Sequence, residues 1–595
     1  MRLDGQRSFV DRLHVGVESG HNEVVASSAD TASVENVSVE NVPVENADDL
    51  GAARSAIAGH RSASQLGPLE SLARAGLIDP AHLGALAWSA GQWGAGIAAP
   101  ADAAARRFPH RTALIDDYGS LTWADLRRRS DRLTSGLVNQ GFTRFDRVAV
   151  ACGNHRGFVE ATLAAAKLGC RTVLMNPTLG GPQLAGVVQS EGISVIVHDA
   201  AISELVATAV PGALSVAVDP ARDSAWSFPS VEPAPARRWS PSLRPAPMPV
   251  MMTSGTTGTP KGAERKPPPI DLEASTGLLR MIPYHLGDVA VIPAPLFHAW
   301  GFANLTMMTT MAGTVVLTSR FDPATILALI NEHQPRVLAL VPVMLSRLLE
   351  AVIEADGDDG TETAAPRSPL SIPEIVASSG SAIAPSLVER WLALSGPNLY
   401  NLYGSTEVGQ ATIANPIDLG RHPSTAGRVV PGSTVEILDP AGAALPPGET
   451  GAIYVANSFG FDQYTDGGDK ARIGRLTATG DTGYLTEDGL LFVVGREDDM
   501  IVSGGENVFP AEVEELLAAH PDIAEAAVIA VADEEFGQRL AAHVVKRKGA
   551  RMTKAQVRAH VRSELAPYKV PREVYWSKEL PRTTTGKIRR NQLAS

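Results

Sequence analysis

The chain has 595 residues, too many for one hydrophobic core, so three or more structural units are expected. Its 52 Lys and Arg against 65 Asp and Glu leave a formal charge of −13, which argues against a nucleic-acid surface because phosphate contacts need clustered cations. With 44% hydrophobic and 20% charged residues, the composition is that of an ordinary globular protein rather than a disordered or fibrous one.

The two cysteines, Cys152 and Cys170, stand in apolar surroundings without a paired spacing. Neither a disulfide framework nor a zinc site is expected, and a reducing cytoplasm is the simplest compartment. The opening "MRLDGQRSFVDRLHVGVESG" lacks the apolar centre of a signal peptide. No apolar run reaches the ~18 residues of a membrane span. The nearest, "VLALVPVMLSRLL", is broken by Pro342.

In chain order, residues 1–66 come first. Val-Glu-Asn recurs there at 34–36, 39–41 and 44–46, amid Ser, Ala and Asp. A five-residue period fits no repeat architecture, so a disordered arm is expected. "LTWADLRRRSDRLTSGLVNQG" then predicts a helix. Thr122 and Asp125 form a capping box, Leu126, Leu133 and Leu137 share a face, and Gly141 ends it. The run Arg127–Arg129 reads as the solvated face of that helix. "RVAVACGNHRGFVEATLAAAKLGCRTVLMNP" reads as strand, Ala-rich helix ending at Gly169, and strand, a βαβ unit that implies a parallel sheet.

Residues 215–247, rich in Pro, Ser and Arg, read as a surface connection, and 356–369 as another loop. Between them and about residue 410, apolar strands alternate with helical segments. From Gly427, short strands separated by Gly- and Pro-containing turns suggest an antiparallel β subdomain. After Arg496, "VFPAEVEELLAAHP" predicts a helix with Pro510 near its start and Val513, Leu516 and Leu517 on one face. "IAEAAVIAVAD" and "RLAAHVVKRKG" predict strands. The last hundred residues read as a small α+β domain hinged near 496–499.

Four stretches carry candidate chemistry. "MMTSGTTGTPKGAERK" offers hydroxyls at Thr253, Ser254, Thr256, Thr257 and Thr259, backbone N–H groups freed by Gly255 and Gly258, and the cation Lys261. Successive N–H groups in such a turn make an anion nest. The spacing is not that of a Walker A loop. By itself it is either a phosphate cradle or a surface loop. "NLYGSTEVG" (401–409) offers a ring, hydroxyls and a carboxylate, or else a turn followed by a helix capped by Thr406 and Glu407. In "TGDTGY" (479–484), Asp481 on a tight turn could take ribose hydroxyls or only stabilise the turn. "PRTTTGKIRR" (581–590) carries Lys587 on a hydroxyl- and Gly-rich turn; a basic tail is ordinarily solvated.

Taken in this order, the four stretches resemble the signature motifs of the adenylate-forming (ANL) superfamily: acyl-CoA synthetases, peptide-synthetase adenylation domains and beetle luciferases. The resemblance runs from about residue 95 to 592. "PLFHAWG" (295–301), "SSGSAIAP" (378–385) and "GREDDMIVSGGENVFPAEVEELL" (495–517) add to it. It implies an α/β fold: a large N-terminal AMP-binding domain of two αβ sheets plus a β subdomain (67–496, the subdomain at about 421–495), and a small mobile α+β C-terminal domain (497–595).

The resemblance also implies an enzyme. It would activate a carboxylic acid with ATP and Mg²⁺ to an acyl-adenylate and pyrophosphate, then pass the acyl group to CoA. Thr253, Ser254, Gly255, Thr256, Thr257, Gly258 and Lys261 would hold the β- and γ-phosphates. Gly380, Ser381 and Ala382 would line the adenine slot, with Tyr403 and Gly404 beside the ring. Thr406 would meet the α-phosphate, Glu407 the Mg²⁺, and Asp481 the ribose with Arg496 close by. Lys587 would bridge the acid's carboxylate and the α-phosphate. His298, Trp300 and Gly301 would build the acid pocket, His298 as wall or gate rather than as an acid–base group. Asp498 would lie at the hinge, and Ser503, Gly504 and Gly505 would face the pantetheine arm of CoA.

"LFHAWG", "GGENVFP" and "PRTTTGKI" resemble freestanding fatty-acid ligases, and the apolar run Ala299–Ala303 suits a medium- or long-chain fatty acid. Such acids partition into membranes, so peripheral membrane association is compatible with a chain lacking a transmembrane segment. The alternatives are an acyl-AMP ligase that loads a carrier protein, an aryl-CoA ligase, and a non-catalytic acyl-adenylate sensor. The chain departs from the family pattern in three places: the phosphate loop opens with "MMTSG", the residues after it, "AERKPPP", are unusually Pro-rich, and "SFGFDQYTDGGDKA" (458–471) replaces the commoner Gly-Tyr stretch and leaves the path of that loop open.

Overall fold

A computed structural model describes residues 67–94, 96–221, 226–227, 248–253, 260–265, 272–357, 372–496, 501–503, 506–533, 537–583 and 586–593. The proposed arm, residues 1–66, lies outside them.

The βαβ expectation holds. Strands Arg147–Ala151 and Arg171–Leu174 pair in parallel across the helix Arg156–Leu168, which ends on Gly169 in the left-handed region. They sit in an eight-stranded sheet whose parallel centre also takes Val195–Asp199, Leu214–Val218 and Val250–Thr253. Leu214–Val218 corrects the reading of 215–247 as surface connection throughout. Val216 and Val218 are fully buried, so alternation in "LSVAV" outweighs the Pro-rich composition around it.

The second, larger sheet has parallel strands in the middle, among them Val289–Val291, Val337–Leu340, Ile375–Ser378 and Leu399–Ser405. "VLALVPVMLSRLL" is one of these buried strands followed by a helix that starts at Pro342. Among the described residues no helix is long and apolar enough to cross a membrane. Past Leu399–Ser405 the pairing turns antiparallel, through Gly409–Ala414 and Gly427–Val429 to Leu490–Arg496 and Leu476–Leu485. The antiparallel strands expected after Gly427 are therefore present, hydrogen-bonded edge to edge with the parallel sheet.

The predicted helix Trp123–Asn139 carries the predicted capping box, with Thr122 Oγ1 accepting from Asp125 N at 3.1 Å. Leu133 and Leu137 are fully buried. Arg129 corrects the solvated-face reading of its run. It is 4% exposed and pairs through Nε with Glu160 on the neighbouring helix at 2.5 Å, whereas Arg128 remains mostly exposed. Both cysteines are free and buried, as expected.

The small C-terminal unit has its own core, including Val513, Leu517, Val528, Val544 and Val561. Helix Pro510–Ala518 and strands Ile523–Asp533 and Gly537–Lys546 stand where the pattern put them. Arg547 reaches Glu350 of the large domain at 3.5 Å. A second contact is closer to the chemistry: a Cβ on Gly586 would stand 2.6 Å from Val343 Cγ1, so the turn bearing Lys587 lies directly on the large domain.

Candidate active site

Strands Val250–Thr253 and Lys261–Glu264 form the walls of a hairpin, with Thr253 opposite Lys261. Thr253 Oγ1 donates to the Lys261 carbonyl at 3.1 Å. Ser254, Gly255, Thr256, Thr257 and Gly258, which follow Thr253 in sequence, lie outside the described residues. Lys261 Nζ pairs with Asp466 Oδ2 at 2.8 Å.

"NLYGSTEVG" is a strand–turn–strand hairpin, Leu399–Ser405 with Gly409–Ala414; the helix allowed for in the sequence is absent here. Backbone crowding explains Gly404: a Cβ there would stand 2.0 Å from the Gly409 carbonyl oxygen. Asn457 Nδ2 clamps the hairpin by donating to the Val408 and Gln410 carbonyls, each at 2.8 Å. Ser405 Oγ accepts from Glu407 N at 3.2 Å, fixing the turn that presents Thr406 and Glu407. Burial pushes the Glu407 pKa up, but the hydroxyls of Tyr464 and Ser405 and the charge of Lys470 outweigh it, and the carboxyl titrates below its ordinary value. Tyr464 Oη donates to Glu407 Oε1 at 2.7 Å.

Asp481 lies within the ten-residue strand Leu476–Leu485, directly across from Arg496 on Leu490–Arg496, rather than on the tight turn the sequence suggested. Glycine beside an acid reads as a turn, but here Gly480 takes its positive φ, 82°, within the strand. Tyr403 Oη donates to Asp481 Oδ2 at 2.7 Å, and Arg496 Nε stands 3.6 Å from Oδ1. Burial raises the Asp481 pKa, against the opposing pull of Tyr403, Arg496, Lys587 and Lys470. Burial and then the Asp481 carboxylate raise that of Tyr403 well above its ordinary value. Gly380, Ser381 and Ala382 follow the buried strand Ile375–Ser378, and Gly380 turns the chain at φ 98°. Ala382 is exposed.

His298 is the N-cap residue of helix Ala299–Thr310. Trp300 Nε1 donates to the Leu340 carbonyl at 2.9 Å, and its ring packs against two core clusters. Gly301 admits no side chain, because a Cβ would stand 2.2 Å from the Pro295 carbonyl oxygen. Burial, and then the Lys587 charge, lower the His298 pKa to about 4. The imidazole is therefore neutral at pH 7. Because the fold lowers this pKa from 6.5, the group's contribution to stability is full above pH 6.5 and is lost as pH falls through about 4. Lys587→Ala is expected to raise the His298 pKa, read by NMR titration of the imidazole; an unmoved pKa would mean that the ammonium does not act there.

Lys587 sits on a closed turn. Thr583 N donates to the Lys587 carbonyl at 2.7 Å, and Lys587 N donates to Thr583 Oγ1 at 3.1 Å. Its charge acts on both His298 and Asp481, which come from different parts of the large domain. Ser503 ends the short strand Ile501–Ser503; Asp498, Gly504 and Gly505 lie outside the described residues.

The structure adds residues that the motifs did not supply. The departing stretch 458–471 brings Tyr464 to Glu407, Asp466 to Lys261, and Lys470 beside Gly480. Arg265, just past the strand Lys261–Glu264, donates through Nη2 to the Thr406 carbonyl. Two departures from the family pattern, "AERKPPP" for Arg265 and "SFGFDQYTDGGDKA" for the others, were the signals that hinted at them. Among the described residues no three His, Cys, Asp or Glu side chains gather as a ready metal cage. Glu407, an ionised oxygen donor, suits Mg²⁺, which binds through one or two carboxylates plus substrate phosphates.

The AMP-binding enzyme family model matches residues 101–465, and the AMP-binding enzyme C-terminal domain model matches 512–587. The feruloyl-CoA synthase of an Amycolatopsis species is 31% identical over 502 residues, 82% of this chain and 96% of that protein. A medium/long-chain-fatty-acid–CoA/3-oxocholest-4-en-26-oate–CoA ligase of Mycolicibacterium smegmatis is 29% identical over 515 residues, 80% and 92% of the two chains. Among solved structures, ATP-bound MatB from Rhodopseudomonas palustris superposes with a TM-score of 0.71 at 26% identity, covering 82% of this chain and 97% of that one.

Proposed function

Because this chain belongs to the AMP-binding enzyme family of the adenylate-forming superfamily, among acyl- and aryl-CoA ligases, we propose that it is a fatty-acid-type acyl-CoA synthetase. It takes ATP, a medium- or long-chain fatty acid and CoA. A carboxylate oxygen attacks the α-phosphorus, the bond to the β-phosphate bridge breaks, and pyrophosphate leaves. The CoA thiol then attacks the acyl carbon, gives up its proton and displaces AMP. In-line attack between two anions needs positioning and charge neutralisation above all.

The observation that carries this reading is the Lys587 charge acting at once on His298, beside the proposed acid pocket, and on Asp481, the proposed ribose ligand. Such a cation can face the acid's carboxylate and the α-phosphate together. The proposed roles of the surrounding residues follow from their placing. Thr253 and Lys261 hold phosphate oxygens at the hairpin mouth. Thr406 takes the α-phosphate and Glu407 the Mg²⁺, which when bound neutralises phosphate charge. Tyr403 packs beside the base while Asp481 and Arg496 hold the ribose. The Trp300 indole, held by Leu340, forms a rigid pocket wall, and neutral His298 lines the approach without moving a proton.

Products formed with MgATP and a panel of short, long and aromatic acids, with and without CoA, test the reading by mass spectrometry. Acyl-CoA from the longer aliphatic acids is the expected result. Acyl-AMP accumulating despite CoA would point to a carrier-loading ligase, aromatic thioesters alone to an aryl-CoA ligase, and no product to a sensor.

A further inference from the structure

We propose that Lys470 is a further nucleotide-binding residue, whose ammonium holds an α-phosphate oxygen between Glu407 and Asp481. The assignment rests on the adenylation reading above, but on residues it did not use. Lys470 falls between the two family-matched regions, 101–465 and 512–587.

The segment that carries it, residues 461–473, is a built strap. Gln463 and Tyr464 pair with Glu264 and Ala263 on the second strand of the phosphate hairpin. Asp462 N donates to the Glu264 carbonyl and Thr465 N to the Gly262 carbonyl, both at 2.8 Å. Arg472 Nη2 closes the strap on itself by donating to the carbonyls of Phe461 at 3.0 Å and Asp462 at 2.6 Å. Lys470 N donates to Asp469 Oδ1 at 2.8 Å, which fixes the backbone from which the side chain projects.

That side chain turns toward the site. Lys470 Nζ stands 3.5 Å from where a Cβ on Gly480 would lie, and Arg496 Nη2 stands 3.4 Å from the same point. Two cations thus converge beside the residue preceding Asp481, on the side that glycine leaves open. The Lys470 charge is felt by both Asp481 and Glu407.

The charge balance gives this cation its task. A nucleotide phosphate lying between Glu407 and Asp481 meets two carboxylates, while Lys261, proposed for phosphate oxygens at the hairpin mouth, also pairs with Asp466. A compact ammonium with three donors, beside Gly480 and felt by both carboxylates, offsets that repulsion and can donate to a phosphate oxygen.

Calorimetric titration of the full chain with MgATP, AMP and adenosine, without acid present, tests the assignment. Lys470→Ala is expected to weaken MgATP and AMP about tenfold to a hundredfold, the loss of one hydrogen bond to a charged group. Adenosine affinity should stay within about twofold, and Lys470→Arg should recover most of the loss. Unchanged MgATP affinity in Lys470→Ala, or an equal loss for adenosine, would overturn the proposal. Should Lys470→Ala fail to fold, Lys470→Gln is read in the same way. A wild-type chain that binds none of the three would overturn the adenylation reading itself, and this assignment with it.

Discussion

Lys587→Ala is expected to slow acyl-adenylate formation about a thousandfold while leaving thioester formation from supplied acyl-AMP within a few-fold of wild type. The magnitude follows from Coulomb's law. An ammonium about 4 Å from developing negative charge, at an effective dielectric near 20, contributes roughly 4 kcal/mol. At 1.36 kcal/mol per decade that is about 10³ in rate. The asymmetry follows from the fold: Lys587 rides on the small C-terminal unit, and its turn meets the large domain at Val343. A unit that rotates after adenylation would take the ammonium out of the site before the thiol arrives. Acid-dependent pyrophosphate exchange reads the first step, and acyl-CoA made from synthetic acyl-AMP reads the second. Equal loss of both would show that Lys587 acts in a single fixed arrangement, and the two-step role would fall.

The same lysine shows what a sequence can and cannot disclose. Its turn was legible because a hydroxyl, a glycine and a lysine within five residues close on themselves, through hydrogen bonds between Thr583 and Lys587. The capping box of Thr122 and Asp125 was legible for the same reason. Local hydrogen bonds leave a pattern in consecutive residues. Arg129 was legible only in part. It stands three residues after Leu126 and four before Leu133, on the apolar face. Its partner, Glu160, is 31 positions away on another helix, and no local pattern supplies it. Removing one member of such a buried pair strands a charge, so its partner matters more than its neighbours in sequence.

The strap was hidden in the same way. Thr465 lies against Gly262, 203 positions earlier, and the register of that pairing decides that Tyr464 meets Glu407 and Asp466 meets Lys261. A two-residue strand has no periodicity to read. The Asp481 expectation failed more narrowly. Glycine beside an acid usually marks a turn, but here the neighbouring strand holds Asp481 opposite Arg496 and the positive φ is absorbed within the strand. The Asp481 side chain nonetheless faces Tyr403, whichever backbone class carries it.

Gly404→Ala is the second change expected to have a large effect, and it tests whether the two halves of the site are mechanically one piece. The added methyl would fall 2.0 Å from the Gly409 carbonyl oxygen, a contact with backbone that no rotamer relieves. The hairpin must open at the point where its register already shifts, between Tyr403 and Gly404. Tyr403 would then leave Asp481, while Thr406 and Glu407, two and three residues further on, would move with the turn. Overpacking of this kind costs about 1–3 kcal/mol of stability, and a displacement of about 1 Å at a reacting centre costs about a hundredfold in rate. Adenylation is therefore expected to fall at least about a hundredfold in a protein that still folds, with a lower melting temperature. The loss should exceed that of Tyr403→Phe, which removes only the hydroxyl bonded to Asp481. If Gly404→Ala melts early but turns over at the wild-type rate, the hairpin is only structural, and Thr406 and Glu407 must be placed by the contacts of Arg265 and Tyr464 instead.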